Sequence, residues 1–241
     1  MHNQTVSDND LHVFSDVTFA PTADDVIRAM KIRKVSPSLS RLVTALVKES
    51  GEVANPKALC RVSYIDSRND STVVIAGRTF TSRVLRQNLD GVERVFPFVA
   101  TCGTELEGLL HDRSDIMAAY CLDTIMMLAV NAARRHVQEF IKRTFSLGQV
   151  SRMAPGSLQD WPLEQQGPLF DLLGDVEGLI GVRLTERYLM TPIKSVSGIF
   201  FPAEVRFESC QLCSRTNCPG RRAPYDPGAC AKYGLESAGA A

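Results

Sequence analysis

The chain has 241 residues, 44% of them hydrophobic, which is enough for one large domain or two small ones with a substantial core. Its 27 Lys and Arg balance 27 Asp and Glu, so no whole-chain field exists to concentrate nucleic acid or bind an anionic membrane. Without an evident secretion signal or an apolar run of about 18 to 20 residues, the sequence predicts a cytoplasmic protein with reduced cysteines.

The N-terminal part predicts a strand, then two helices. Residues 11–19 alternate apolar and polar side chains, as a strand does. Thr22 is the predicted N-cap of a helix that runs to about Ile32. Ser36 is the predicted N-cap of an amphipathic helix that ends before Gly51.

The middle of the chain predicts three strands followed by two helices. "ALCRVSYI" and "STVVIAG" predict paired strands around the turn "DSRND", and "RVFPFVAT" predicts another strand. "GTELEGLL" is typical of a helix. The longest predicted helix runs from about Asp115 to Thr144, and its two-sided hydrophobicity indicates a central, buried position.

The next segment, residues 151–166, predicts a tight turn at Pro155-Gly156 and contains the only tryptophan, Trp161. A helix follows over "PLEQQGPLFDLLG", then a strand-like "LIGVRLT" and a loop entering a strand over "MTPIKSVSGIFF". Since strands and helices do not alternate strictly, we expect an α+β fold with an antiparallel or mixed sheet and packed helices, not a doubly wound parallel sheet.

The C-terminal part changes character after Pro202 and becomes rich in proline, glycine and cysteine. We predict one domain over residues 1–205 and a small cysteine-rich, metal-binding module over residues 206–241. Its C-x2-C-x4-C-x11-C spacing is compatible with an iron-sulfur cluster, a tetrahedral zinc ion or unligated thiols. The candidate ligands are Cys210, Cys213, Cys218 and Cys230.

Two further segments contain groups that could bind a ligand. Arg152, just before the predicted turn, could direct its guanidinium at a carboxylate or phosphate, although a surface arginine beside a turn is an equally ordinary arrangement. Ser195, Ser197 and Gly198 are typical of a strand whose backbone approaches another group closely.

These two segments resemble a known family. "RMAPGSLQDWPLEQQGPLFDLL" followed by "IGVRLTERYLMTPIKSVSGIFF" is similar to the S-adenosylmethionine-binding activation domain of cobalamin-dependent methionine synthase. The upstream strands and long helix are compatible with the same domain over roughly residues 20–202. The resemblance implies a curved α+β domain that holds S-adenosylmethionine over a corrinoid carried by another domain. There, one electron and the sulfonium methyl group convert inactive Co(II) to methyl-Co(III).

The resemblance also implies roles for particular residues. Arg152 matches an arginine that contacts the ligand's carboxylate end, and Ala154 matches an alanine that contacts the ligand through its main chain. Ser157 replaces a tyrosine, and Asn131 lies near the position of a ligand-binding glutamate. Trp161 is placed either at the rim of the site, where it stacks on the ligand, or as a hydrophobic staple of the next helix. The predicted cofactor-binding residues are Asn131, Arg152, Ala154, Gly156, Ser157, Trp161, Ser195 and Ser197.

Two functions follow as hypotheses. In the first, the protein is part of a methionine synthase-type reactivation system that serves a corrinoid-binding protein or methyltransferase subunit. A donor such as flavodoxin or ferredoxin supplies the electron, and the cysteine-rich tail relays it. In the second, the chain is a non-catalytic scaffold with a zinc-stapled tail. Neither hypothesis requires acid-base residues or predicts a nucleic-acid or membrane partner.

Overall fold

The computed structural model describes residues 10–111, 113–215, 217–218 and 220–235. These residues form an α+β structure in which helices cover both faces of an eight-stranded sheet. Every strand pairing in this sheet is antiparallel. The predicted α+β class with an antiparallel sheet and packed helices is therefore confirmed.

Ten strands occur in the described residues. They are β1 (Leu11–Phe14), β2 (Lys57–Arg61), β3 (Ser63–Arg68), β4 (Thr72–Ile75), β5 (Arg78–Thr81), β6 (Arg94–Thr101), β7 (Val150–Met153), β8 (Arg183–Leu184), β9 (Met190–Thr191) and β10 (Ser195–Pro202). Eight of them form the main sheet, whereas β8 and β9 form a separate two-stranded ribbon.

Eight α-helices occur in the same part of the chain. They are α1 (Ala23–Met30), α2 (Pro37–Val53), α3 (Arg83–Asn88), α4 (Thr104–His111), α5 (Ile116–Thr144), α6 (Gln166–Leu173), α7 (Val176–Ile180) and α8 (Pro227–Lys232). Two short 3-10 turns, Leu163–Gln165 and Ser209–Leu212, precede α6 and α8 respectively.

Strand β6 is the centre of the sheet. On one side it pairs with β2 and β3, and on the other with β10, which in turn pairs with β7. Strand β7 is short, so its pairing with β10 ends at Met153 opposite Ile199. The earlier part of β10, from Ser195 to Gly198, pairs with β6 alone among the described strands.

The alternation of side chains along β6 supplies two cores. Phe96 and Phe98 lie on the face that packs against α5, while Val95 and Val99 lie on the opposite face. This second face is covered by α3, α6, α7 and the C-terminal segment. Both faces are buried because a long helix covers one of them and several short elements cover the other.

Helix α5 is the one described helix that is long and apolar enough to cross a membrane by length and composition, which the sequence analysis did not recognise. Half of its most apolar window is buried inside the protein. The helix packs on β6, β2 and β10 with one side and on α1, α2 and α4 with the other. The apolar character of α5 is therefore explained by its central position between the sheet and the other helices, as predicted.

The helix caps follow the sequence prediction closely. Thr22 and Asp25 form a reciprocal capping box, and the hydroxyl of Ser36 accepts a hydrogen bond from the backbone of Leu39. Gly51 is an exception, since it lies inside α2, which continues to Val53.

Three strand predictions need correction. The segment "ALCRVSYI" is divided between β2 and β3 at Val62, although the predicted β3–β4 pairing is confirmed. The beginning of "LIGVRLT" belongs to helix α7, and only Arg183–Leu184 forms a strand. The segment before the Pro-Gly turn, for which we predicted no strand, contains β7.

Candidate functional site

The two segments that carry the family resemblance meet at one cavity. Its volume is about 560 Å³, within the usual range for small-molecule sites. Strand β7 and the following turn form one wall, and β9, β10 and the loop between them form another. The described lining residues are Arg152, Ala154, Pro155, Ser157, Leu163, Gln166, Leu189, Met190, Ile193, Ser195, Val196, Ser197, Ser209 and Arg222.

The predicted Pro-Gly turn shapes one edge of the cavity. Ser157 donates its backbone N–H to the carbonyl of Ala154 at 3.2 Å, and Gly156 at the third position has a φ of 77°. This is the geometry of a type II turn, for which proline and glycine are suited at the two central positions. Gly156 itself does not line the cavity, so its contribution there is to the shape of the turn.

Arg152 is one of two charged residues that line the cavity, together with Arg222. Burial and the positive charges of Arg134 and Arg222 lower its pKa to about 9, so the guanidinium stays protonated at neutral pH. No described residue accepts a hydrogen bond from this guanidinium. A largely buried cation without a partner is costly, and an anionic ligand would remove that cost.

The two predicted serines both line the cavity, but their hydroxyls are already engaged. The oxygen of Ser195 lies 2.7 Å from the carbonyl of Pro192 and 3.0 Å from the Thr101 hydroxyl. Ser197 donates to the side-chain oxygen of Gln166, whose amide donates to the Tyr188 carbonyl at 3.0 Å. With their hydrogens committed, both oxygens remain acceptors for donor groups of a ligand.

Gly198 permits the close approach predicted for this strand. A Cβ built on Gly198 would lie 2.3 Å from the carbonyl oxygen of Met153, a distance that real Cβ atoms essentially never show. The absence of a side chain therefore brings β10 against β7. As a result, Arg152 on β7 and the two serines on β10, Ser195 and Ser197, line the same cavity.

The predicted placement of Trp161 at the rim is wrong. Its side chain is 0% exposed and packs edge-on against Phe80 in the larger core cluster. The polar neighbours that suggested a ligand loop make internal contacts instead. Asp160 accepts hydrogen bonds from the Ser82 hydroxyl and from the backbone of Val84, and so caps helix α3.

Asn131 does not reach the cavity. Its amide donates to the Met127 carbonyl within α5 at 2.9 Å. One helical turn further on, Arg134 is close enough for its charge to lower the pKa of Arg152. The sequence analysis missed Arg134 and also the cavity residues Gln166, Ser209 and Arg222. The charges gathered toward the end of α5 were the available signal for Arg134.

The predicted four-cysteine metal site is not formed. Among the described residues, which include all four of these cysteines, no three His, Cys, Asp or Glu side chains are grouped so that they could hold a metal ion. Cys230 is instead buried in the larger core cluster beside Tyr233. Iron-sulfur and zinc ligation therefore do not fit this arrangement.

A guanidinium organises the cysteine-rich loop instead. The side chain of Arg221 donates to the main-chain carbonyls of Cys210, Cys213, Arg215 and Ala223. Next to it, the sulfur of Cys210 accepts a hydrogen bond from the Arg222 backbone at 3.4 Å. Although burial acts in the opposite direction, these backbone contacts and the charge of Arg222 lower the pKa of the Cys210 thiol.

The other three cysteines are small core residues, as predicted. Cys60, Cys102 and Cys121 are each 0% exposed. Burial raises the pKa of Cys60 and of Cys102 to about 12, so both remain neutral thiols at physiological pH. They have no access to the cavity and play no part in it.

The fold and this site together define an α+β domain with an arginine-lined cavity of small-molecule size. Residues 131–215 match the family model described as vitamin B12 dependent methionine synthase, activation domain. Among solved structures, the chain is similar to the MetH reactivation domain bound to AdoHcy, with a TM-score of 0.56 and 14% identity. That similarity covers 83% of this chain and 81% of the other. No curated protein matches the chain.

These findings confirm the fold and the recognised resemblance: residues 131–215 resemble methionine synthase activation domains, and the chain shares the fold of a MetH reactivation domain. The matched segment contains β7, the Pro-Gly turn and β10, and hence most of the cavity wall. It ends before Arg222, so this cavity residue lies outside the matched segment. The division into domains at residue 205 stays a prediction.

Proposed function

We propose that the protein binds S-adenosylmethionine in this cavity and supports the reductive methylation of a corrinoid carried by a partner protein. The observation that supports the proposal is the convergence of Arg152 and of the Ser195 to Ser197 strand on one cavity. Bound there, S-adenosylmethionine supplies an electrophilic methyl group, which reduced cobalt accepts as the carbon-sulfur bond breaks. An external donor such as flavodoxin or ferredoxin supplies the electron.

The residues present fit such a ligand in part. Arg152 offers a charged partner for the carboxylate, and the apolar side chains of Leu163 and Val196 offer contact area for an adenosine. The serine oxygens are placed to accept hydrogen bonds from the ammonium or ribose. The function of this chain in the reaction would be to bind and orient the sulfonium, for which no acid-base group is needed.

The mouth of the cavity is suited to a partner. Leu189 and Ile193 line the cavity and are 54% and 73% exposed, respectively. Exposed apolar side chains around a small-molecule site are typical of a surface that another protein covers. We place the corrinoid-binding protein or methyltransferase subunit here, and the proposed setting is the cytoplasm.

One observation favours the second hypothesis, a scaffold that binds S-adenosylmethionine weakly. No Asp or Glu is among the described residues that line the cavity, so the ligand's two cationic centres lack a carboxylate partner. Asn131 does not supply one. In this case the chain would hold the corrinoid partner without methyl transfer.

Calorimetry under anaerobic conditions tests the binding step. S-adenosylmethionine and AdoHcy should both bind the wild-type protein, and Arg152→Ala should weaken both by about 10-fold or more. Arg33→Ala, which removes an exposed arginine that does not line the cavity, is the matched control. Equal affinity of Arg152→Ala and wild type would show that the ligand does not bind in this cavity.

A methyl-transfer assay separates the two hypotheses. The protein is mixed with a corrinoid, a low-potential reductant and S-adenosylmethionine labelled in its methyl group. Formation of labelled methylcobalamin that depends on the protein supports reactivation. Binding of a corrinoid protein without methyl transfer supports the scaffold.

A further inference from the structure

The C-terminal segment, meaning the described residues from 206 to 235, takes part in the cavity. Ser209 and Arg222 belong to this segment and line the same cavity as Arg152. Arg222 lies beyond the segment that matches the activation-domain family, which ends at residue 215. The resemblance therefore assigns it no role.

The segment is fixed on the sheet by contacts at several points. The backbone of Phe207 donates to the Ser151 hydroxyl on β7 at 2.8 Å, and the Tyr233 hydroxyl donates to Asn88 at 3.1 Å. Phe207 and Tyr233 also pack in the larger core cluster. These contacts place Arg222 beside the cavity in the folded protein, before any ligand binds.

The side chain of Arg222 is held by an ion pair at the edge of the cavity. Its Nε lies 3.2 Å from Glu208, which also pairs with Arg206 at 2.6 Å. The Arg222 side chain also makes a hydrogen bond with the Cys210 thiol, and it lines the cavity. Glu208 thus holds the guanidinium through its Nε, and the position of Arg222 in the cavity wall brings the positive charge to a bound anion.

The charges around the cavity are unbalanced. The charges of Arg134, Arg222 and Arg206 each lower the pKa of Arg152, and the charge of Glu208 acts in the opposite direction. Since Glu208 already pairs with two of these arginines, Arg152 has no counter-charge of its own. Like charges held this close favour an anion between them.

We propose that Arg222 is a second ligand-binding cation, and that Arg152 and Arg222 together bind the carboxylate of the ligand. The identity of that ligand rests on the proposed function; the anion site between the two arginines rests on the described contacts alone. Glu208 acts as a positioning residue because it orients Arg222. The C-terminal segment is then a binding element of the site.

The decisive experiment compares two ligands that differ in the amino-acid portion, which carries the carboxylate. AdoHcy carries the amino-acid portion, whereas 5′-methylthioadenosine has the same adenosine and sulfur without it. Arg222→Gln should lower the affinity for AdoHcy by about 10-fold to 100-fold, as expected for a charge-assisted hydrogen bond. Affinity for 5′-methylthioadenosine should change less than about 2-fold.

Arg215→Gln is the matched control, because it removes the same charge from an exposed position of the same segment that does not line the cavity. It should leave the affinity for both ligands unchanged. If Arg222→Gln weakens both ligands equally, or neither of them, Arg222 does not bind the carboxylate and the proposal fails.

A second measurement separates this proposal from the proposed function. Inorganic sulfate at millimolar concentration should raise the melting temperature of the wild-type protein, but not that of Arg152→Gln or Arg222→Gln. If sulfate stabilises only the wild type while AdoHcy does not bind, the anion site stands and the ligand assignment fails. If sulfate stabilises all three proteins equally, the anion site fails.

Discussion

Replacing Gly198 by alanine tests the close contact between β10 and β7. The new Cβ would lie 2.3 Å from the Met153 carbonyl oxygen, and a tolerated contact is at least about 3.0 Å, so the strands must separate by about 0.7 Å. Relief of such overlap costs about 1 to 3 kcal/mol. The φ of 153° at this position adds backbone strain for any residue with a side chain.

We therefore expect a loss of about 3 kcal/mol in the free energy of unfolding, or a fall of about 6 to 12 °C in the melting temperature. AdoHcy affinity should fall as well, because the displacement moves Arg152 relative to Ser197. Differential scanning calorimetry and ligand titration measure the two effects.

Gly51→Ala is a control that should change the stability of the protein in the opposite direction. Gly51 lies inside α2 with no atom within 4 Å of an added Cβ, so alanine should stabilise the protein by about 0.5 to 1 kcal/mol. A melting temperature of Gly198→Ala within about 1 °C of wild type would show that the strands do not make this contact.

Three further substitutions or reactions test the other assignments. Trp161→Ala should destabilise the protein by about 3 to 5 kcal/mol in denaturant unfolding, whereas a rim residue would affect ligand affinity with little loss of stability. Ser197→Ala should cost about 1 to 3 kcal/mol, since the side-chain oxygen of Gln166 loses its donor; an unchanged denaturation midpoint would contradict the hydrogen bond. Iodoacetamide should modify Cys210 in the native protein while Cys60 stays unmodified, as read by mass spectrometry. Because the pKa of Cys210 is lowered, its thiolate forms at a lower pH, and the rate of its alkylation should begin to increase at a lower pH than for an ordinary cysteine. An alkylation rate that increases only at a higher pH than for an ordinary cysteine would refute the assignment.

Features determined by neighbouring residues were predictable from the sequence. The capping box at Thr22, the N-cap at Ser36 and the Pro155-Gly156 turn each depend on residues within about four positions of each other. The convergence of the two site segments was also predicted, but through the family resemblance. Periodicity alone would not have placed residues 152 and 197 at the same cavity.

Features determined by distant contacts were missed or misassigned. Strand β7 has only four residues, and its pairing with β10 is invisible in a local pattern. Trp161 was misplaced because its polar neighbour Asp160 suggested a ligand loop, whereas that carboxylate serves helix α3 from across the fold. Cysteine spacing suggested metal binding because it does not reveal that Arg221 holds the loop.

The shortness of β7 also bears on association between molecules. Where β7 ends, the first residues of β10 from Ser195 onward have a sheet edge that no described strand covers, and an uncovered edge is a template for pairing with another chain. Here the edge opens into a recess bordered by the Pro-Gly turn and by Ser209 of the C-terminal segment. A strand from a second molecule would have to displace these elements before it could pair with β10. The elements that enclose the ligand cavity therefore also protect this sheet edge against pairing with another molecule.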